Sequence, residues 1–196
     1  MSKYVLTFFI IIYLNSCVNG QSEFVRNLIK KMTNEDKCGQ MTQLSITAVQ
    51  KDILLNNDQN PVDPIKLKKA IIDYKIGSLQ NTPNDMAQKA EIWQSIIRQI
   101  HELSLNTSLK IPLIYGIDSI HGANYIQEAV LFPQPLAQAA TFNIEMAETI
   151  GEIVARETRA VGIPWNFSPV MDIARQPIWS RIWLDFYKYM FNYYLI

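Results

Sequence analysis

The sequence contains little cysteine and histidine and no excess charge of either sign. Two cysteines and two histidines among 196 residues do not give the ligand spacing of a metal site, so we expect no metal. Because 18 basic residues balance 18 acidic ones, composition gives no reason to expect nucleic acid or an anionic membrane as a partner. No cofactor is expected either, since no glycine-rich loop follows a predicted strand.

The first twenty residues differ from the rest of the chain. Lys3 is followed by an apolar run from Val5 to Leu14, about the length of a signal-peptide core. This run is too short for a membrane-spanning helix, which needs ~20 residues. We therefore predict a signal peptide over residues 1–20, a secreted or lysosomal location, and no membrane attachment after cleavage. An uncleaved membrane anchor and a lipid attached at Cys17 are the alternatives.

Removal of the signal peptide leaves Cys38 as the single cysteine, so no internal disulfide can form and stability must come from packing. Two segments match the acceptor pattern for N-glycosylation, at Asn106 and Asn166. Asn106 lies between a predicted helix and a predicted strand, and we expect it to be glycosylated. Asn166 lies in an apolar run that we expect to face the interior.

Hydrophobic periodicity predicts helices and strands in alternation. Apolar residues recur at helical spacing in segments near 24–32, 33–44, 64–74, 86–100 and 143–162. The clearest of these helices carries one apolar stripe, formed by Met86, Ala90, Trp93, Ile97 and Ile100. Apolar runs predict strands near 76–80, 113–118, 134–142 and 165–173. Strands that are apolar throughout are typical of a parallel sheet, and an open doubly wound sheet and a closed barrel fit equally well.

Polar residues follow two of the predicted strands. In α/β proteins ligands bind at the carboxyl ends of the strands, where this chain has Asp118 and Asp172, followed by Arg181. A carboxylate accepts hydrogen bonds from neighbouring hydroxyls, and an arginine donates several from a rigid fork, so the pair suits a sugar ring. The residue types alone equally fit a turn cap at Asp118 and a surface cation at Arg181.

Five segments, in the same order, resemble family 3 of the glycoside hydrolases. They are Met32 to Met41, Tyr115 to Gly122, Leu131 to Pro133, Glu148 to Val170, and Pro177 to Arg181. The form Gly116-Ile117-Asp118-x-x-His121-Gly122 is similar to the β-glucosidase and exoglucanase branch of that family. One such segment would be a weak indication, whereas five in the family's order are a strong one.

This resemblance implies the fold class, the ligand and the roles of three residues. The chain is expected to be α/β and to form the N-terminal part of an incomplete (β/α)8 TIM-type barrel. Asp118 and Arg181 are implied to bind hydroxyls of the nonreducing sugar of a β-glucoside or glucan-type carbohydrate, while His121 orients the loop. Gln176 departs from the family, which often has an aspartate there.

The resemblance also implies a retaining hydrolysis, which needs a carboxylate nucleophile and a carboxylic acid ~5–5.5 Å apart. In the family both come from segments later than those matched here, so we predict no catalytic residue in this chain and no activity of the chain alone. A secreted noncatalytic sugar-binding or interaction protein is the alternative. An unrelated α/β enzyme with its own site is a third hypothesis.

The resemblance stops after Trp183. We therefore divide the chain into a signal peptide at 1–20, a partial barrel at 21–183 and a divergent aromatic tail at 184–196. A translated intron, a frameshift or a true truncation would each explain the tail. Four strands would leave two open sheet edges, so self-association is expected. A tail that folds back over one edge is the competing possibility.

Overall fold

The computed structural model describes residues 22–52, 60–170, 176 and 178–180. The predicted signal peptide and the aromatic tail lie outside these residues. Six α-helices are present in the described part, and they are α1 (Glu23–Lys31), α2 (Asn34–Gln40), α3 (Pro64–Lys68), α4 (Ala90–Leu105), α5 (Pro135–Ala139) and α6 (Ile144–Ala160). None of the described helices is long and apolar enough to cross a membrane.

The helices begin where the sequence supplies caps. Thr33 accepts a hydrogen bond from the backbone of Asp36, whose carboxylate accepts one from the backbone of Thr33, so the two residues form a capping box. Asp63 caps α3 ahead of Pro64, and a π-helical turn at Lys69–Asp73 continues that helix. The side chain of Asn143 caps α6 by accepting the backbone N–H of Met146.

The strands form one parallel sheet whose order follows the chain, β1-β2-β3-β4. Its strands are β1 (Gln43–Ser45), β2 (Ser78–Gln80), β3 (Ile114–Ile117) and β4 (Trp165–Asn166). The register pairs Leu44 with Leu79 and Leu79 with Tyr115. Parallel pairing is consistent with the helix that lies between successive strands, because a parallel connection needs a crossover.

Two strand predictions were wrong. The segment predicted as a strand at 134–142 contains α5 instead, because Pro135 suits the first turn and the alanines that follow favour a helix. β1 was missed and assigned to a helix, since its three residues are too few to show a period. The predicted strands at 76–80, 113–118 and 165–173 are each present in shorter form.

The two faces of the sheet differ in chemistry. Leu79, Tyr115 and Ile117 are buried on the face that the helices cover, and the rings of Tyr115 and Trp93 of α4 meet edge to face with centroids 5.6 Å apart. The other face is more polar than expected from a sequence of apolar strands. Its residues include Gln43, Ser45, Ser78, Gln80, Ile114 and Trp165, none of which is fully buried.

The core lies between the sheet and the helices. Trp93 and Ile100 belong to the stripe predicted on α4 and are at most 2% exposed, as is Ile96, which the stripe did not include. Ala90 and Ile97 of the stripe are partly buried. Met86 is an exception, because it lies before the start of α4 and is 46% exposed. At the other extreme, α1 has no buried residue.

Candidate active site

Asp118 follows β3 at the edge of the sheet formed by the carboxyl ends of the strands. Strand alternation places Ile114, Gly116 and Asp118 on the open face, opposite the helices. Asp118 is half-buried. Burial and the negative charge of Asp118 together raise the pKa of Tyr125, so the phenol stays neutral beside the carboxylate. A carboxylate with a neutral phenol nearby is a suitable group for binding hydroxyls.

The residue after Asp118 fixes the end of β3 against β4. The backbone N–H of Ser119 donates to Oδ1 of Asn166 at 3.1 Å, and the same oxygen accepts the N–H of Ser168 at 3.1 Å. The hydroxyl of Ser119 lies 3.4 Å from that of Thr158 on α6. Contacts with β4 and α6 therefore hold the backbone from which Asp118 projects.

His121 contacts the loop that contains Phe132. Its Nδ1 lies 3.3 Å from the carbonyl oxygen of Phe132, whose own N–H donates to the carbonyl of His121 at 2.8 Å. Gly122 has a φ of +87°, and a Cβ there would lie 2.3 Å from the carbonyl oxygen of Val130. Two segments that carry the family resemblance thus pack on one another.

A third segment of the resemblance joins them through Phe167. A Cβ on Gly116 would lie 2.4 Å from the ring of Phe167, so the glycine is what lets this ring cross β3. The ring also meets Trp165 edge to face, with centroids 4.6 Å apart. Aromatic side chains therefore cover the open face of the sheet next to Asp118.

The loop after β2 belongs to the same edge and was missed in the sequence. Asn81, Asn84 and Asp85 have φ values of 72°, 57° and 53°, a conformation that Asn and Asp tolerate better than other side chains do. Thr82 is 3% exposed, and its hydroxyl has no hydrogen-bond partner among the described residues. Asp85 is a further carboxylate in this loop, five residues after the end of β2. Backbone in this conformation is concentrated at binding and catalytic sites.

Two polar residues predicted for this edge follow β4 in the sequence. Arg181 and Asp172 lie outside the described residues. Among the described residues close to them in the sequence, the N–H of Trp179 donates to the carbonyl of Gln176 at 3.0 Å in a turn. In the described part of the chain, no group of three or more His, Cys, Asp or Glu side chains could hold a metal ion.

Asn106 lies at the opposite end of the molecule from this edge. It is exposed and ends α4, just before the segment that leads into β3. The hydroxyl of Thr107 in the same acceptor pattern donates to the carbonyl of Ser104 at 2.7 Å. The asparagine is therefore accessible on a hydrogen-bonded turn.

A parallel α/β sheet with polar residues at its carboxyl edge is typical of α/β proteins, both barrels and doubly wound sheets, that bind ligands at that edge. The model of the glycosyl hydrolase family 3 N-terminal domain matches residues 33–187, and the chain belongs to this family. The domain is a (β/α)8 TIM-type barrel, of which the described residues form part. The resemblance found in the sequence is thereby confirmed.

Known proteins of the family are much longer than this chain. The chain is 41% identical over 177 residues to a lysosomal β-glucosidase of Dictyostelium discoideum. This match covers 86% of this chain and 21% of that protein. It matches an exo-1,3/1,4-β-glucanase of a Pseudoalteromonas species with a TM-score of 0.65 at 25% identity, covering 82% of this chain and 19% of that one. A Listeria innocua β-glucosidase mutant solved with laminaribiose matches with a TM-score of 0.58 at 27% identity, covering 84% and 21% respectively. The chain thus spans about a fifth of the length of these relatives.

Proposed function

We propose that this chain forms the sugar-binding part of a β-glucosidase-like glycoside hydrolase and does not hydrolyse glycosides alone. In this proposal Asp118 and Arg181 bind hydroxyls of the nonreducing sugar, and His121 holds the loop that carries Asp118. The observation that supports it is the position of Asp118 at the carboxyl end of β3, on the open face of the sheet. The ligand would be a β-glucoside, in line with the laminaribiose held by the Listeria relative.

The lack of turnover follows from the chemistry that the family uses. Retaining hydrolysis needs two carboxyl groups ~5–5.5 Å apart on opposite sides of the scissile bond. Asp118 is assigned to binding, and the resemblance places the nucleophile and the acid in later segments of the family. Asp85, in the loop after β2, is a further described carboxylate near this edge and is exposed.

The experiment measures binding and turnover separately. We expect the secreted chain to bind laminaribiose in a calorimetric or NMR titration and to release no aglycone from an aryl β-glucoside above the buffer rate. Asp118→Asn removes a charged acceptor of sugar hydroxyls, worth about 1.5–3 kcal/mol, so binding should weaken at least tenfold. Asp73→Asn, an exposed carboxylate at the opposite end of β2, is the matched control. Turnover that disappears in Asp118→Asn would refute the assignment of this residue to binding alone.

A noncatalytic sugar-binding protein is the second candidate, and the open face of the sheet favours it. Interior positions of such barrels are usually bulky and branched, whereas Gln43, Ser45, Ser78 and Gln80 are polar here. Polar side chains on this face can be exposed to water or to a sugar, so the face does not need further barrel strands to cover it. Mixing the chain with the remaining residues of the Dictyostelium enzyme, expressed separately, distinguishes the two. Restored hydrolysis favours the enzyme fragment, and binding without hydrolysis favours the noncatalytic protein.

We further propose that the chain enters the secretory pathway and carries a glycan at Asn106. The exposed position of Asn106 supports the modification, and the lysosomal relative supports the pathway. Expression in a eukaryotic secretory host should give a chain whose mass falls after removal of N-linked glycans. The Asn106→Gln variant should show no such change. A persistent change in that variant would move the glycan to Asn166.

A further inference from the structure

A small cavity lies at the amino end of the sheet, away from the candidate sugar site. It has a volume of about 210 Å³ and lies between α2, the π-helical turn at Lys69–Asp73 and the segment that joins α4 to β3. Sites for drug-sized ligands are typically about 300–1,000 Å³, so this one suits a single ring rather than an oligosaccharide. Asn106 is exposed at the end of α4 and also lines the cavity. A group attached to Asn106 is therefore placed at the cavity from the start.

The more deeply buried part of the lining is apolar. Ile71 and Ile76 are 2% and 3% exposed, and Ile72, Leu109 and Ile111 are partly buried around the same space. A pyranose ring presents C–H groups on its faces, and an acetamido group ends in a methyl group. Such apolar surface gains free energy when it leaves water for contacts of this kind. The cavity therefore suits an N-acetylated sugar better than it suits water alone.

A few polar groups line the cavity as well. The side-chain amide of Gln40 donates to the carbonyl oxygen of Lys75 at 3.2 Å, while its oxygen makes no hydrogen bond among the described residues. The ammonium group of Lys75 pairs with Asp36, and it has three N–H groups to donate. Both side chains therefore retain capacity to bind hydroxyl or acetamide groups. A largely apolar lining with a few polar groups that fix orientation is typical of small-molecule sites.

The backbone around Asn106 is fixed, and its side chain is available. The backbone N–H of Asn106 donates to the carbonyl oxygen of Leu103 at 3.1 Å. The hydroxyl of Thr107 donates to the carbonyl oxygen of Ser104 at 2.7 Å and accepts the N–H of Lys110 at 3.1 Å. In the described part of the chain, the side-chain amide of Asn106 makes no hydrogen bond that modification would break. A sugar joined to this amide would start from a defined position.

We propose that the cavity binds the first N-acetylglucosamine of a glycan on Asn106. The inference rests on the glycosylation proposed above. In that transfer a bond forms between Nδ2 of Asn106 and C1 of the sugar, the bond from C1 to the diphosphate of a lipid-linked donor breaks, and Nδ2 loses one proton. The ring and its methyl group lie against the apolar lining, and its polar groups bind Gln40 and Lys75. The outer sugars extend into solvent.

The covalent bond explains how so small a site can stay occupied. A tethered group is held beside its site at a high effective concentration, so contacts too weak to hold a free sugar are sufficient. The bound sugar joins the segment after α4 to the π-helical turn across the cavity. Conserving the amino end of a barrel is a matter of stability, so the glycan supports the fold and takes no part in binding substrate.

The first test compares glycan states of the full chain secreted by a eukaryotic host. We expect trimming to a single N-acetylglucosamine to leave the thermal unfolding midpoint within about 1 °C, and Asn106→Gln to lower it by about 2–4 °C. Amide hydrogen exchange should be about fivefold slower in the trimmed chain than in the variant, across the cavity at residues 69–76 as well as at 106–111.

The outcomes separate the two proposals. Absence of a glycan at Asn106 by mass spectrometry would refute the glycosylation, and with it this inference. A glycan that is present but leaves exchange at residues 69–76 unchanged would overturn the cavity alone. A midpoint that falls to that of Asn106→Gln on trimming would assign the stabilisation to the outer sugars and would also overturn it.

Two leucine variants test the contact while the glycan is kept. Leu109 lines the cavity, whereas Leu105, 39% exposed and next to Asn106 in the sequence, is not among its lining residues. Leu109→Ala should lower the midpoint by about 1–2 °C more in the trimmed chain than in the Asn106→Gln background, because it removes a contact of the sugar. Leu105→Ala should lower it equally in both. An equal loss for Leu109→Ala in both backgrounds would overturn the contact.

Discussion

The two ends of the sheet differ in how closely the backbone packs and in whether polar groups have partners within the chain. At the amino ends of the strands, backbone segments from different elements are in close contact. A Cβ on Gly77 would lie 2.1 Å from the carbonyl oxygen of Gln40, and one on Gly39 would lie 2.5 Å from that of Lys75. Asp36 pairs with Lys75 across the same contact and is itself buried. Polar groups at this end are satisfied within the chain.

At the carboxyl ends polar groups are left available. Thr82 Oγ1 and Asn124 Oδ1 are buried without a hydrogen-bond partner among the described residues. Three residues in the loop after β2 adopt left-handed backbone, and Asp118 lies at the end of the neighbouring strand. In barrels of this kind the amino end provides stability and the carboxyl end provides function. Here the closely packed end and the end with available polar groups are separated only by the short length of each strand.

The largest effect is expected from Gly77→Ala at the amino end. Because the new Cβ meets backbone atoms of Gln40, neither side can move away without shifting α2 or β2. We expect a loss of at least about 3 kcal/mol in the free energy of unfolding, at the upper end for overpacking. Urea denaturation followed by circular dichroism measures it. A loss under about 1 kcal/mol would mean that the amino end is less tightly fixed than its geometry indicates.

A smaller effect at the same end is expected from Asp36→Asn. The hydrogen bond from Lys75 and then the backbone N–H of Thr33 lower the pKa of Asp36 below its ordinary value of 3.8. Its contribution to stability is therefore complete above that value and is lost as the pH falls further. The variant should be less stable than the wild type at pH 7, and the difference should shrink with acidification. Thermal unfolding from pH 7 to pH 2.5 checks this, and a difference independent of pH would contradict it.

Gly116→Ala changes the open face of the sheet and should cost about 1 kcal/mol, at the low end for overpacking. Its Cβ would meet the ring of Phe167, which is a side chain and can move, whereas Gly77 is opposed by backbone. The comparison between the two alanine variants tests the contrast between rigid and adaptable regions. Equal losses in urea denaturation would remove that contrast.

The smallest effect is expected from Asp85→Gly at the carboxyl end. Left-handed backbone disfavours a side chain, so glycine should raise the free energy of unfolding by about 0.5 kcal/mol, offset in part by its greater freedom when unfolded. Laminaribiose binding measured on the same variant shows whether the carboxylate contributes to the site. Lower stability would mean that the Asp85 side chain supports the loop.

The sequence predicted the parts of the fold that depend on local chemistry. The helices around Trp93 and after Asn143 were predicted from their periodicity and cap, because many residues repeat the signal. The strand at Gln43–Ser45 was missed because three residues cannot show a period. The segment at 134–142 was assigned to a strand for its apolar character, although Pro135 and the alanines favour the helix found there.

The site was predicted in part, and mainly through the family resemblance. Asp118 could be named because a distinctive pattern surrounds it. The loop from Asn81 to Asp85 reads as an ordinary turn in the sequence, since Asn and Asp are common in turns. Its importance depends on where β2 ends relative to β3, which is information about packing. The close contacts of Gly77 and Gly116 are likewise invisible in a linear sequence, because the atoms involved come from distant segments.

The order of strands in the sheet has a consequence for how the chain is made. Each strand pairs with the one synthesised just before it, and none waits for a later segment to separate two earlier neighbours. A chain that folds as it is synthesised can therefore add each βα unit to an existing edge as it emerges. Pairing between neighbours in the sequence keeps the contacts of the sheet local, and local contacts form fast.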